Sequence, residues 1–123
     1  MTLTDPPVFV LYVRDPARSR AFYEAALGFA PRLVADGYCE LECGGAVLGL
    51  ISERAAPVLA GAPAGSGVRA ELYLRVTDVD AACRAIEKAG GRCTSPLAPR
   101  DWGDRAAYYA DPDSHLIAVA ARL

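Results

Sequence analysis

Aromatic and ionisable side chains alternate with apolar ones in three strand-like segments of this sequence. Glu71, Tyr73 and Arg75 are two residues apart, and the same spacing recurs in two other segments. Because successive side chains of a β-strand point to opposite faces, each set would share one face of a sheet. Rings and carboxylates among apolar residues are typical of a cleft that binds a small organic molecule. The ligand-binding residues predicted on these segments are Tyr12, Tyr38, Glu40, Glu71, Tyr73 and Arg75.

The same pattern admits another interpretation, a dimer interface with a polar rim. Other kinds of chemistry find little support. His115 is the only histidine, and the four cysteines lack the paired spacing of a zinc site. Cys39 and Cys43 fall on one face of an apparent strand, so we interpret them as small buried hydrophobes.

The bulk composition indicates an ordinary soluble domain. The 123 residues suffice for a single hydrophobic core, and just over half of them are hydrophobic. The net charge is −2 and the basic residues are scattered, which argues against a nucleic-acid partner. No apolar run approaches the ~20 residues of a membrane span. The first residues lack the pattern of a signal peptide, so we expect no membrane association and a cytoplasmic location.

The chain repeats one unit. Each half begins with an aliphatic run that stops at an aspartate, Asp15 or Asp78, followed by a helical stretch that ends at glycine. Either aspartate can cap a helix, and Gly28 and Gly90 or Gly91 can supply the left-handed residue at its end. In the aliphatic runs we expect Phe9, Leu11, Val13, Leu72, Leu74 and Val76 to face the helix.

Three short strand candidates follow each helix. In the first half they lie around 32–34, 37–43 and 46–52, and in the second around 92–94, 105–110 and 115–121. Residues 53–69 are rich in Ala, Pro, Gly and Ser without periodicity, which predicts a linker. We therefore predict an α+β fold in which two tandem βαβββ modules, about 7–52 and 70–123, form a concave mixed sheet with a cleft, within one domain spanning 1–123.

These motifs resemble the vicinal-oxygen-chelate superfamily, which contains glyoxalases, dioxygenases, thiol transferases and bleomycin-resistance proteins. The matching stretches are Leu11 to Asp15 through Phe29, Val76 to Asp80 through Gly91, and Trp102 to Arg105 through Asp113. Together they cover nearly the whole chain apart from the linker.

Metal-using members of this superfamily place His or Glu ligands on four strands. The resemblance carries those positions over to Val8, Gly49, Glu71 and Ala118, of which only Glu71 could ligate. A zinc site needs about three protein ligands. We interpret His115, on the opposite face from Ala118, as a strand-start residue near the helix layer. We therefore predict no metal and no other cofactor; the alternative is a divalent metal held by Glu71 with other carboxylates.

What remains resembles the bleomycin-resistance type, a homodimer that sequesters a small molecule without turnover. The resemblance places Tyr38 and Trp102 where stacking aromatics belong, and Trp102 lies on a polar stretch that we interpret as a flexible lid or as an anchor of the loop. We thus predict metal-independent binding of a small, aromatic molecule, with antibiotic resistance as one role. The alternative is an enzyme of the same superfamily, a lyase, isomerase, dioxygenase or thiol transferase, with Glu71 as the catalytic residue.

Overall fold

The computed structural model describes residues 1–65, 67–68 and 70–123. Two residues of the predicted linker, Ser66 and Arg69, lie outside the described residues. The chain divides into two compact units, one built mainly from residues before position 66 and the other mainly from residues after it. Each unit contains one long helix and one four-stranded mixed sheet, which confirms the α+β fold of two βαβββ modules. No helix among the described residues is long and apolar enough to cross a bilayer.

The first unit has the order strand, helix and three strands. Its elements are β1 (Val8–Val13), α1 (Pro16–Leu27), β2 (Pro31–Ala35), β3 (Tyr38–Cys43) and β4 (Ala46–Ser52). The sheet order is β1-β4-β3-β2, with β1 parallel to β4 and the other pairs antiparallel. Asp15 caps α1 by accepting hydrogen bonds from Ala17 N at 3.1 Å and Arg18 N at 3.4 Å, and Gly28 ends it at φ 69°, as predicted.

The second unit repeats this arrangement. It comprises β5 (Glu71–Arg75), α2 (Val79–Lys88), β6 (Arg92–Pro99), β7 (Asp104–Ala110) and β8 (Leu116–Arg122), in the sheet order β5-β8-β7-β6. Asp78 accepts a hydrogen bond from Ala81 N at 2.9 Å, and Gly90 follows α2 at φ 98°. Both glycines therefore adopt the left-handed conformation that other residues rarely take.

Each sheet buries side chains on its helix-facing side. In the first unit Val13, Leu48 and Leu50 are buried, and in the second Ile86 and Ile117 are fully buried. Phe9 lies on this side, beside the buried Leu48 in the strand register, as expected, but it is 57% exposed. The reason is that β1 is an edge strand whose first residues remain uncovered, and only Val13 at its other end reaches the core.

Several element boundaries differ from the predictions. The predicted linker begins with a 3-10 turn (Glu53–Ala55) and a five-residue π-helix (Ala56–Ala60), because Ser52 accepts a hydrogen bond from Arg54 N and starts a turn there. Strand β6 was predicted around 92–94 but runs to Pro99. It is an edge strand with register shifts, where a residue without an N–H is tolerated.

The histidine and cysteines occupy ordinary structural places. His115 directly precedes β8, and its backbone N–H donates to Asp111 Oδ1 at 2.8 Å. Cys39 is buried and Cys43 half-buried, and both are free thiols. Burial raises the pKa of both thiols, so neither is a reactive thiolate at neutral pH.

Candidate functional site

Strand register in the second unit places the predicted ligand-binding residues on the face away from α2. Tyr73 pairs with Ala118 and Arg75 with Ala120, so Tyr73 and Arg75 share a face with Tyr108 and Asp104 on β7. Alanines of β7 and β8 lie between the larger side chains. The small residues leave room for the rings and guanidinium groups to lie over the sheet.

Asp104 is the buried centre of this face. It is 2% exposed, and its Oδ2 accepts hydrogen bonds from the Tyr73 hydroxyl at 2.7 Å and from Arg75 Nε at 3.1 Å. The hydrogen bond from Tyr73, helped by the charges of Arg75 and Arg122, keeps the pKa of Asp104 below its usual value although burial opposes this. Asp104 is therefore ionised at neutral pH and holds both partners in place.

Tyr73 links Asp104 to the turn that carries Trp102. Its hydroxyl donates to Asp104 and accepts a hydrogen bond from Trp102 Nε1 at 2.8 Å. Burial, followed by the hydrogen bond to the carboxylate, raises the pKa of Tyr73, whereas the bond from Trp102 lowers it. The phenol is thus neutral at physiological pH. We call these four connected residues, Trp102, Tyr73, Asp104 and Arg75, the Asp104 network.

Trp102 lies on the turn between β6 and β7, and its indole is 52% exposed. Arg100 connects that turn to the neighbouring strands. Its guanidinium donates hydrogen bonds to Ser95 Oγ at 2.9 Å and to Ala106 O at 3.0 Å. The guanidinium carbon also lies 5.4 Å from the centre of the Tyr108 ring. The Arg100 backbone N–H also donates to Asp104 O at 2.7 Å. Of the two roles considered for Trp102, these contacts favour an anchored ring over a flexible lid.

The first unit carries a second set of polar groups on its sheet. Tyr38 donates to Glu40 Oε2 at 2.5 Å, and Arg32 Nε lies 3.4 Å from Glu40 Oε1. Tyr12 and Tyr38 flank Ile51 in the strand register, so the two rings share the face away from α1. Tyr12 is half-buried. Burial, then the hydrogen bond to Glu40, raises the pKa of Tyr38 to about 12.

A Glu40→Gln variant is expected to lower the pKa of Tyr38 from about 12 while leaving it above 10, because the carboxylate charge is lost but burial, the largest cause, remains. Since the raised pKa favours the neutral phenol, its contribution to stability is complete below pH 10 and is lost as pH rises through about 12. Ultraviolet absorbance of tyrosinate measures the ionisation. Glu42→Gln, an exposed carboxylate on the same strand, is the control. An unchanged Tyr38 titration in Glu40→Gln would contradict the assigned cause.

The four positions that correspond to metal ligands do not form a metal site. A side-chain carbon at Gly49 would lie 3.2 Å from the Tyr38 hydroxyl, from Val8 Cγ1 and from Val10 Cγ2, so these neighbours already fill the space over that glycine. Ala118 is fully buried and has no donor atom. Among the described residues no three His, Cys, Asp or Glu side chains are grouped closely enough to hold a metal ion. The donor set does not fit a divalent cation.

The structure thus brings together Tyr73, Arg75 and Trp102 in one unit, and Tyr38 and Glu40 in the other. Glu71 is exposed at the start of β5, and its carboxylate forms no hydrogen bond or ion pair with the residues that the structure describes. Sequence reasoning missed Asp104 and Arg100. The available signal was alternation along β7, which places Asp104 two and four residues from Ala106 and Tyr108.

We compared the fold with solved structures of known proteins. Three solved structures are similar. A glyoxalase/bleomycin resistance protein/dioxygenase family enzyme from Burkholderia phytofirmans PsJN is 20% identical with a TM-score of 0.88, covering 98% of this chain and 100% of that one. A glyoxalase-related enzyme from Fulvimarina pelagi is 25% identical with a TM-score of 0.87, covering 98% and 89%. A protein of unknown function from Agrobacterium tumefaciens is 27% identical with a TM-score of 0.77, covering 100% and 95%.

No curated protein matches the chain significantly. The family model, however, matches residues 6–119, which is almost the entire sequence and includes α1, α2 and every strand except the last three residues of β8. The match agrees with the two βαβββ modules and with the resemblance of the sequence motifs. The chain therefore belongs to the Glyoxalase/Bleomycin resistance protein/Dioxygenase superfamily.

Proposed function

We propose that this protein binds a small, planar organic molecule without a tightly held divalent metal. The observation that carries the proposal is the Asp104 network. A 2% exposed carboxylate fixes a tyrosine and an arginine, and the tyrosine in turn fixes a tryptophan whose ring is half exposed. Buried polar groups that hold an exposed aromatic ring in one orientation are typical of a preorganised binding site.

The donor set supports the metal-independent part of the proposal. Glu71 alone offers a ligand atom at the four positions used by metal-binding relatives, and Gly49 is crowded by Tyr38, Val8 and Val10. A histidine or glutamate introduced there would have to displace the Tyr38 hydroxyl. One carboxylate does not bind a divalent ion tightly in water.

The expected strength of binding follows from the rings. Each aromatic contact contributes about 0.5–1.5 kcal/mol beyond the burial of apolar area. Tyr73 and Trp102, both in the second unit, supply two such contacts, which offset part of the cost of association. We extend the proposal to a homodimer that sequesters an aromatic antibiotic, a role suggested by the bleomycin-resistance members of the superfamily.

The test uses the single tryptophan of the chain as a site-specific probe. In proton–nitrogen correlation spectra its indole N–H gives one resonance, which we expect to shift saturably when planar aromatic compounds are added. Prior treatment with a chelator or addition of Zn²⁺ should leave the dissociation constants unchanged, and each compound should be recovered unaltered. Native mass spectrometry of the same sample reports the subunit count and any retained metal.

Two results would contradict the proposal. If no compound from a broad set of neutral, anionic and cationic aromatic molecules shifts the indole resonance, the Asp104 network does not bind aromatic molecules. If a compound is bound but is converted to a product, the protein is an enzyme. A chelator-sensitive conversion would further show that a metal takes part.

A further inference from the structure

Arg75 is held on one side and free on the other. Its Nε donates to the buried carboxylate of Asp104 at 3.1 Å, and its guanidinium carbon lies 5.4 Å from the centre of the Tyr73 ring. Its two terminal nitrogens make no hydrogen bond or ion pair within the described part of the chain, and the side chain is 49% exposed. A guanidinium fixed at Nε presents its terminal nitrogens as a planar, two-pronged donor, the geometry that binds oxyanions.

The charge around the terminal nitrogens of Arg75 is positive. Asp104 pairs in register with Arg122, whose charge contributes to the lowered pKa of the Asp104 carboxyl. Two guanidinium groups therefore surround one carboxylate. Arg122 is exposed and forms no ion pair with any residue that the structure describes. Glu71 lies four residues from Arg75 on the same strand, roughly 13 Å away, so it does not neutralise this end.

The exposed Trp102 indole is linked to Arg75 by hydrogen bonds. Trp102 donates to the Tyr73 hydroxyl, and that hydroxyl donates to the same Asp104 oxygen that binds Arg75. The exposed indole and the free guanidinium edge are consequently connected through three successive hydrogen bonds.

We infer that the Asp104 network takes a flat aromatic ring bearing an oxyanion, a carboxylate in the first instance. The ring lies against Trp102, and the oxyanion binds the terminal nitrogens of Arg75. Asp104 acts as a positioning residue because it fixes Arg75 and leaves the outer edge of the guanidinium available. The inference rests on the proposed binding function and adds to it the sign of the ligand's charge.

The experiment compares three ligands of one shape and different charge: naphthoate, naphthamide and the naphthyl amidine. Their dissociation constants are measured from the Trp102 indole resonance and by calorimetry. We expect naphthoate to bind at least about tenfold more tightly than naphthamide, as a charge-assisted contact gives. The cationic amidine should bind most weakly. The preference for naphthoate should shrink as salt concentration rises.

Two arginine variants locate the effect. Arg75→Gln should reduce the affinity for naphthoate to that for naphthamide and leave naphthamide binding nearly unchanged. Arg84→Gln, which removes an exposed arginine from α2, should behave as the wild type. If Arg75→Gln disturbs the free protein, seen as a displaced indole resonance, the three ligands compared on the wild type still decide the sign of the charge.

The outcomes separate this inference from the proposed function. Amidine binding equal to or tighter than naphthoate binding overturns the inference and leaves metal-independent ring binding standing. A naphthoate preference that survives Arg75→Gln overturns the assignment to Arg75. If none of the three naphthyl compounds binds, the inference fails, and extension of that failure to the broad ring set defeats the proposed function too.

Discussion

Replacement of Asp104 by alanine is expected to disconnect the Trp102 turn from the sheet and to lower the unfolding midpoint by roughly 5–10 °C. The substitution removes the acceptor shared by Tyr73 and Arg75 and leaves two guanidinium groups, Arg75 and Arg122, without the carboxylate between them. The Trp102 indole resonance should move or broaden, since Tyr73 no longer has its own hydrogen bond to hold it. Thermal unfolding and the correlation spectrum measure the two effects.

Asp101→Ala provides the matched control for this prediction, because Asp101 is an exposed aspartate in the same turn. It should change neither the unfolding midpoint nor the indole resonance. The pH dependence has a definite sign: the contribution of Asp104 is present above its usual pKa of 3.8 and is lost as pH falls through the lowered folded-state pKa. The wild type and Asp104→Ala should therefore converge in stability only in acid. An unshifted indole resonance in Asp104→Ala would refute the network.

Replacement of Gly49 by valine is expected to destabilise the first unit by about 2 kcal/mol. The first added carbon would lie 3.2 Å from Tyr38, Val8 and Val10, and the two methyl groups beyond it need further space in a buried central strand. Overpacking of this kind lowers the free energy of unfolding by about 1–3 kcal/mol. The higher strand propensity of valine offsets part of this loss. Urea unfolding measures the difference.

The same variant should also displace the Tyr38 hydroxyl from Glu40 and so lower the pKa of Tyr38 from about 12. Gly65→Val is the control, because a side-chain carbon at Gly65 meets nothing within 4 Å. We expect no measurable change in either property for Gly65→Val. If Gly49→Val is as stable as the wild type and keeps the high Tyr38 pKa, the space over position 49 is not filled as described, and the argument against a metal ligand there is weakened.

Local sequence signals predicted the elements of the fold well. Asp15 and Asp78 cap the helices as expected because a cap depends on a few neighbouring residues only. Alternation likewise predicted that Tyr73 and Arg75 share a face, as do Tyr38 and Glu40. These features are local, so they can be inferred without knowing which strands pair.

The centre of the site could not be inferred in this way. Asp104 is the first residue of β7, and its burial and its hydrogen bonds depend on β5, which lies about thirty residues earlier. The contacts of Arg100 with the Trp102 turn likewise require β6 to continue past Pro96. That continuation depends on pairing with β7 rather than on strand propensity. The exposure of Phe9 follows from the position of β1 at a sheet edge, which the pattern of one strand does not reveal.

The parallel pairing of the first and last strands of each module sets an order for folding during synthesis. While the chain leaves the ribosome, β2, β3 and β4 can form their antiparallel meander locally, but β1 has no neighbour until β4 has emerged. Closing that longer loop costs more chain entropy and makes this pairing late. In the second module β8 lies between β5 and β7. A truncation that removes β8 would therefore leave β5 with no strand beside it in its own sheet. Tyr73 and Arg75 would then lose the β8 residues Ala118 and Ala120, with which they pair.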